Sequence, residues 1–393
     1  MPTPVVMGDV DMVRALGLAG IASAYFGPPH YSARFSRHVR VVLRSMDEWR
    51  CQDAIVATLL RYARTQSGPP VLYPQTDATV LLVSRHREEL GRAFRFVVGD
   101  AELIEELVDK VRFQLLAEGL GLPVPPAQRL RPSGEHIAPE LEVPFPVVVK
   151  PVRRGGDWTA TGALGKAIGV ADGDDWRALW PRLAPLRSDV LVQHLVPGPE
   201  SAIESYHAYL DQTGDVAGEF TGRKIRTYPP RYGQSSAVEI VDLPDVAELG
   251  RSILATLGLR GVAKVDFKRD GRGRLHLLEV NPRFNLWHHP AAVAGVNLPA
   301  IVHADLTGSP RPAGRRPSRH VAWCAPLLDV RAAYLAGTSP VAWLRWARHC
   351  QAVSGLSRDD PLPFLRGSLG GAVRRRLPRR QTVSRRRPSA AAR

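Results

Sequence analysis

The sequence predicts an α/β unit with a mostly parallel sheet followed by an antiparallel α+β region, and three features carry that prediction. Apolar runs alternate with helical stretches as far as Glu118, the order expected of a wound parallel sheet. Gly119, Gly121, Pro123, Pro125 and Pro126 then interrupt the chain and mark a boundary. From Pro146 onward the apolar runs are separated by polar turns, which suits antiparallel pairing.

Taken in order, Val5 to Met7 reads as a strand, Gly8-Asp9 as a turn, and Val10 to Leu18 as a helix ending before Gly20. Ile21 to Phe26, Val39 to Leu43, Val71 to Tyr73 and Phe94 to Val98 supply further strands, with helices over Glu48 to Arg64 and Thr76 to Leu90. Ala101 to Glu118 reads as one long amphipathic helix. In the second region strands fall at Val147 to Lys150, Gly165 to Val170, Val190 to His194, Ala202 to Leu210 and Gly218 to Lys224. Helix Val246 to Leu257 leads into strand Ala263 to Lys268, a turn at Asp270 to Gly273 and strand Leu275 to Val280. The turn sequence Asp-Gly-Arg-Gly is a strong hairpin signal. A Pro/Arg-rich connector, Ser309 to Ser318, precedes a Trp-containing region that runs to about Leu365.

With 393 residues, 44% hydrophobic and 23% charged, the chain can bury a sizeable core, which excludes disordered and fibrous classes. Cys51, Cys324 and Cys350 stand far apart with no CxxC spacing, which excludes a disulfide framework and a thiolate zinc cluster. No basic leader and no uncharged stretch of membrane-spanning length is present, so a cytoplasmic location is expected. The net charge of +15 is concentrated: residues 366–393 hold ten Arg and no acid, leaving +5 for the rest. That tail, without aromatic residues to stack on bases, reads as disordered and solubilising; contact with nucleic acid or an anionic surface stays open.

The chemistry concentrates in the predicted hairpin, Lys264-Val-Asp-Phe-Lys followed by Leu-Leu-Glu-Val-Asn-Pro-Arg. Period-2 alternation sends Glu279 and Asn281 to one face, and pairing through the turn can bring Asp266 beside them. Three hard oxygen donors on one face suit magnesium held with nucleotide phosphates. Lys264 and Arg283 add the cations that phosphoryl chemistry requires. A solvated hairpin face with scattered charges is the plain alternative.

This segment resembles the metal-binding hairpin of the ATP-grasp superfamily, in which an Asp on one strand and a Glu-x-Asn on the next bridge magnesium to ATP. The resemblance extends over about Val5 to Gly308 and points to the predicted carboxylate-amine ligase branch, which includes D-aspartate ligase-like proteins. It implies a parallel-sheet pre-ATP-grasp domain over residues 1–108, a lid subdomain over 109–195 and a metal-site subdomain over 196–308. A C-terminal region (309–365) and the arginine-rich tail (366–393) would follow.

Carried over by position, the resemblance assigns Asp266, Glu279 and Asn281 to the metal, magnesium or manganese, and Lys150 to ATP phosphates, together with Lys110, where Asp109-Lys110 opens a helix that ends in Glu-Gly-Leu-Gly-Leu-Pro-Val-Pro. Lys166 stands where a further phosphate-side lysine is often seen. Gln193, His194, Leu195 and Val196 resemble the hinge whose backbone pairs with adenine, and Glu200 would lie near the ribose. Arg223, Lys224 and Arg226 resemble a basic strand facing the phosphates, and Lys264, Arg226 and Arg283 would neutralise the transferring group.

The expected reaction is ATP-dependent activation of a carboxylate as an acyl phosphate and its capture by an amine, with release of ADP and phosphate. Small-molecule carboxylate and amine substrates are the expected partners, with a homodimer open. A thiol, bicarbonate or peptide-end acceptor is the first alternative; a nucleotide-binding protein with a basic nucleic-acid-binding tail is the second.

Other signals stay unassigned. The Gly-rich segment Arg153 to Gly165 is either a flexible loop over phosphates or a plain hairpin turn, and it contains no Walker sequence. His288 and His289 lack the spacing of a helical zinc pair. Gly8-Asp9 either receives a ligand at a helix N-terminus or simply caps the helix.

Overall fold

The structure is a computed structural model that describes residues 2–28, 31–132, 134, 137–152, 158, 161, 167–186 and 188–369. Its first sheet is built from β1 (Val5–Met7), β2 (Ser23–Gly27), β3 (Val39–Arg44) and β4 (Leu72–Pro74), in the order β3-β2-β1-β4 with every pairing parallel. Helices α1 (Val10–Leu18), α2 (Gln52–Ala63), α3 (Asp77–Arg85) and α4 (Arg87–Gly91) accompany it. β1 is buried along its whole length because helices cover both faces of the sheet, so its sequence is an unbroken apolar run.

Two expectations from the sequence change here. Phe94 to Val98 forms no named strand; Arg95 makes only an isolated parallel bridge to Val71. The long helix over Ala101 to Glu118 is instead two, α5 (Ala101–Val108) and α6 (Lys110–Gly119). Asp109 leaves helical geometry (φ −86°, ψ 120°) and its carboxylate accepts from the amides of Val111 and Arg112 at 2.9 and 3.1 Å. A short acidic side chain that captures backbone amides starts a new helix more readily than it continues an old one. The break puts Lys110 in the first turn of α6.

The second sheet contains β5 (Ala127–Leu130), β6 (Val147–Pro151), β7 (Ile168–Val170) and β8 (Val190–His194), antiparallel in the order β5-β8-β6-β7. Helix α7 (Gly173–Leu183) packs Trp176, Leu179, Trp180 and Leu183 against it.

The third sheet has seven strands, ordered β13-β12-β9-β10-β11-β14-β15. They are β9 (Ile203–Leu210), β10 (Val216–Tyr228), β11 (Gln234–Ile240), β12 (Gly261–Arg269), β13 (Leu275–Asn281), β14 (Val321–Cys324) and β15 (Ala352–Val353). Helices α8 (Pro244–Thr256), α9 (His288–Val293), α10 (Leu298–Thr307), α11 (Pro326–Leu335) and α12 (Pro340–Arg348) complete the described part. The hairpin turn at Asp270–Gly273 forms as expected, with Asp270 Oδ1 accepting from the amides of Arg272 and Arg274 at 2.9 and 3.0 Å. β14 and β15 come from beyond Gly308 yet extend the same sheet that carries the hairpin.

Candidate active site

In the hairpin Asp266 pairs opposite Glu279, and Lys264 opposite Asn281. Alternation buries Val265 and Val280 in the core beneath and sends these four polar side chains to the other face. All four line one cavity of about 870 Å³.

Asp266 is almost wholly buried. Its Oδ2 accepts from Lys264 Nζ at 2.6 Å and from Lys224 Nζ at 3.5 Å, and the Ser205 hydroxyl donates to Oδ1. Burial alone would raise its carboxyl, but the two ammonium groups outweigh burial and hold it well below the usual carboxylate range. For Lys224, burial opposes the charge, while Asp266 and Glu279 more than restore it and hold the ammonium above its ordinary range. Lys264 is lowered, first by burial and then by Lys224, against the pull of Asp266. Its Nζ also stands 5.3 Å from the ring centroid of Trp287, a cation–π contact.

A second cationic wall comes from β6 and α6. Lys150 Nζ donates to Gln193 Oε1 at 2.7 Å, and Gln193 Nε2 donates in turn to Gln114 Oε1 at 2.9 Å. Burial lowers Lys150 to about 8, with Lys110 and Lys224 adding to the effect against Glu279. Lys110, Gln114 and Phe113 of α6 line the cavity, as do Ala167, Leu191, Ile203 and Leu278. Gln114 follows Lys110 by four residues, a spacing that places both on one helix face and was readable in the sequence. Glu200 also lines the cavity and accepts from the Thr227 hydroxyl.

Other expected residues are engaged elsewhere. Arg226 forms a two-point pair with buried Asp329, at 2.8 and 2.7 Å, and lies 4.3 Å from the centroid of the Trp346 ring. It does not line the cavity, and neither does Arg223, whose Nε is buried without a partner among the described residues. His194 Nδ1 meets the Pro144 carbonyl at 2.9 Å, the Leu195 amide donates to Pro146 O at 2.8 Å, and the Val196 side chain is buried. Of the hinge residues, Gln193 alone faces the cavity. Lys166 and nearly all of the Arg153 to Gly165 segment lie outside the described residues. Arg283 lines the cavity and spans it, donating to Asp77 Oδ1 (2.6 Å), Gln75 O (3.2 Å) and Asn281 Oδ1 (3.1 Å).

The two histidines differ. His289 Nδ1 meets Asp11 Oδ1 at 2.7 Å. His288 is fully buried, neither ring nitrogen has a partner among the described residues, and burial lowers it to about 3.

Among the described residues no group of three or more His, Cys, Asp or Glu is arranged to hold a metal ion. Two facing carboxylates and an amide oxygen nevertheless form a hard donor set. That set fits magnesium, which keeps several waters and takes one or two protein carboxylates together with substrate phosphates.

Residues 187–325 match a family described as ATP-grasp in the biosynthetic pathway with Ter operon. The D-aspartate ligase of Enterococcus faecium is 26% identical over 302 residues, covering 72% of this chain and 70% of the ligase. A D-alanine–D-alanine ligase of Alcanivorax borkumensis is 31% identical over 182 residues, 44% of this chain and 54% of that enzyme; the chain thus spans about half of its length. Among solved structures, an ADP complex of N5-carboxyaminoimidazole ribonucleotide synthetase superimposes with a TM-score of 0.62 at 13% identity, over 82% of this chain and 80% of the other. An L-amino acid ligase from Bacillus licheniformis gives 0.59 at 14% identity, over 81% and 78%. Both structural likenesses concern the fold.

Proposed function

We propose that this chain, which belongs to the ATP-grasp superfamily, is an ATP-dependent ligase that activates a carboxylate and joins it to an amine. The observation that carries this reading is the hairpin face: Asp266 against Glu279 and Lys264 against Asn281, on the wall of a cavity that Lys110, Lys150 and Lys224 also enter. The relatives named as amide-forming ligases support the same reaction class.

A carboxylate oxygen of one substrate attacks the γ-phosphorus of ATP, the bond to the bridging oxygen breaks, and ADP leaves. The amine of the second substrate then attacks the acyl carbon, the C–O bond to phosphate breaks, and the amine gives up a proton. No protein nucleophile is required. Asp266, Glu279 and Asn281 would hold magnesium, which supplies charge neutralisation across the phosphates. Lys110 and Lys150 bind phosphate oxygens, while Lys224 and Lys264 stabilise the charge that develops on the transferring group. Phe113, Ala167, Leu191, Ile203 and Leu278 offer the apolar wall on which a purine ring fits. Arg226 acts at one remove, by stiffening the strand that carries Lys224. No helix among the described residues is long and apolar enough to cross a membrane, and the cytoplasm, where ATP is abundant, is the compartment this reaction requires.

The test is phosphate and ADP release from ATP across a matrix of carboxylates and amines. We expect turnover that needs both substrates and is lost in Glu279→Ala and Asn281→Ala. Turnover that survives both substitutions would overturn the site.

A further inference from the structure

The two helices after β14 form a helical hairpin: α11 and α12 pack against each other and are joined by residues 336–339. Its inner face is already occupied. Asp329 of α11 holds Arg226, Trp343 Nε1 of α12 donates to Asp329 at 2.8 Å, and the Trp346 ring covers the Arg226 guanidinium. These contacts fasten the hairpin to β10.

The tip and the outer face are exposed and apolar. Tyr334 and Leu335 end α11 and Val341 opens α12, so the short connection gathers all three, and they are 78%, 59% and 70% exposed. Leu344, one turn further along α12, is 48% exposed, and α12 buries none of its nine residues. Surface apolar residues met singly need no explanation, but four large ones gathered on one hairpin do.

Charge is an independent observation. Residues 330–393 hold fourteen Arg, no Lys and only two acids, Asp359 and Asp360. Both acids are used internally: Arg14 pairs with them at 3.5 and 3.4 Å, and Ser36 Oγ donates to Asp360. Arg331, Arg345 and Arg348 stand exposed on the same two helices as the apolar tip. Nine more Arg fall in residues 370–393, which lie outside the described residues. Bond lengths allow those 24 residues to reach about 80 Å from Leu369. That exceeds the roughly 50 Å across a globule of this size, so their charge can serve whichever surface the tip meets.

Three kinds of partner suit a surface that is basic or apolar, and only one suits a surface that is both. A second copy would set fourteen arginines against fourteen. Nucleic acid would take the charge but not the tip, because the tryptophans that could stack on bases are turned inward onto Asp329 and Arg226, and the exposed tip is mostly aliphatic. An anionic bilayer takes both, with apolar side chains at the boundary of headgroup and acyl chain and arginines among the phosphates. No helix among the described residues is long and apolar enough to cross a membrane, so the contact is with its surface.

We infer that the α11–α12 hairpin seats this protein on an anionic phospholipid surface, with Tyr334, Leu335, Val341 and Leu344 inserted beneath the phosphates and the arginines of residues 331–393 paired with them. The contact is independent of the chemistry in the cavity.

The test is co-sedimentation of the full chain with vesicles of equal parts phosphatidylglycerol and phosphatidylcholine, and with vesicles of phosphatidylcholine alone. The anionic vesicles should bind at least tenfold more tightly than the neutral ones, and added salt should weaken that binding severalfold. Leu335→Ser combined with Val341→Ser should weaken it about tenfold. Thermal unfolding should stay unchanged in that variant, since both side chains are exposed. No binding to anionic vesicles, equal binding to neutral ones, or binding indifferent to the double substitution would overturn the inference. So would a dimer that the double substitution dissolves, which would give the tip to a second copy, or tighter binding to duplex DNA than to the vesicles, which would give the arginines to nucleic acid.

Discussion

Among single side chains, Lys150 has the most readable titration. Burial depresses it to about 8, so its ammonium is present at neutral pH and lost as pH rises through that value. Because kcat/KM reports the free enzyme, the value for ATP should fall above about pH 8. Lys150→Arg keeps the charge and should move that alkaline limb upward, whereas Lys150→Met should lower kcat/KM roughly a hundredfold below about pH 8, a deficit that narrows as the wild-type lysine itself loses its proton. An alkaline limb that stays in place in Lys150→Arg would assign it to another group. Gln193 and Gln114 hold this lysine by two successive hydrogen bonds. Gln114→Leu should therefore weaken ATP use by about tenfold without removing any charge, measured as the KM for ATP.

Among the elements, β10 depends on a clamp that comes from far along the chain. The Arg226 guanidinium pairs with Asp329 of α11, and the Asp329 carboxylate also accepts from Ser236 Oγ at 3.0 Å and Trp343 Nε1 at 2.8 Å. Removing one partner of a buried pair leaves a charge uncompensated, so Arg226→Ala should cost about 3 kcal/mol and roughly 5 °C in thermal unfolding. An unchanged melting temperature would show that Asp329 finds another partner. The strand hairpin at β12 and β13 was legible because alternation and the turn sequence agree. β11 was not, since it opens with Gln234, Ser235 and Ser236 and carries little apolar signal. The role of Asp329 was equally hidden: nothing local in Leu-Asp-Val announces a partner 103 positions away. The apolar period of α5 runs on into α6 and hides the break at Asp109, which the resemblance alone marked, by setting Asp109-Lys110 at the start of a helix.

At the scale of the whole molecule, the parallel sheet is fastened to the rest by buried carboxylates. Asp11 on α1 accepts from His289 Nδ1 (2.7 Å), Trp323 Nε1 (3.0 Å) and Ser354 Oγ (2.6 Å). Asp360 accepts from Ser36 Oγ at 2.5 Å and the Arg37 amide at 3.0 Å. Asp11→Ala would strand three donors, two of them buried, and should cost about 3 kcal/mol, read as a loss of thermal stability. Nucleotide binding at low temperature should persist, because the hairpin is untouched. Loss of that binding with stability intact would place Asp11 in the site itself. The sequence could show that a Gly-Asp turn opens α1, but only the assembled chain shows that Asp9 caps the helix while Asp11, which also reaches the cavity wall, ties it to residues hundreds of positions downstream.

The Asp11 cluster also dictates a timetable for biosynthesis. Its last partner, Ser354, lies 343 positions downstream. At about 5–20 residues per second, that is a wait of roughly 20–70 s on the ribosome. For that interval the newborn N-terminal segment carries a carboxylate and an apolar face whose complements have not yet been synthesised. It is during translation, rather than in the finished enzyme, that this chain has most need of a chaperone.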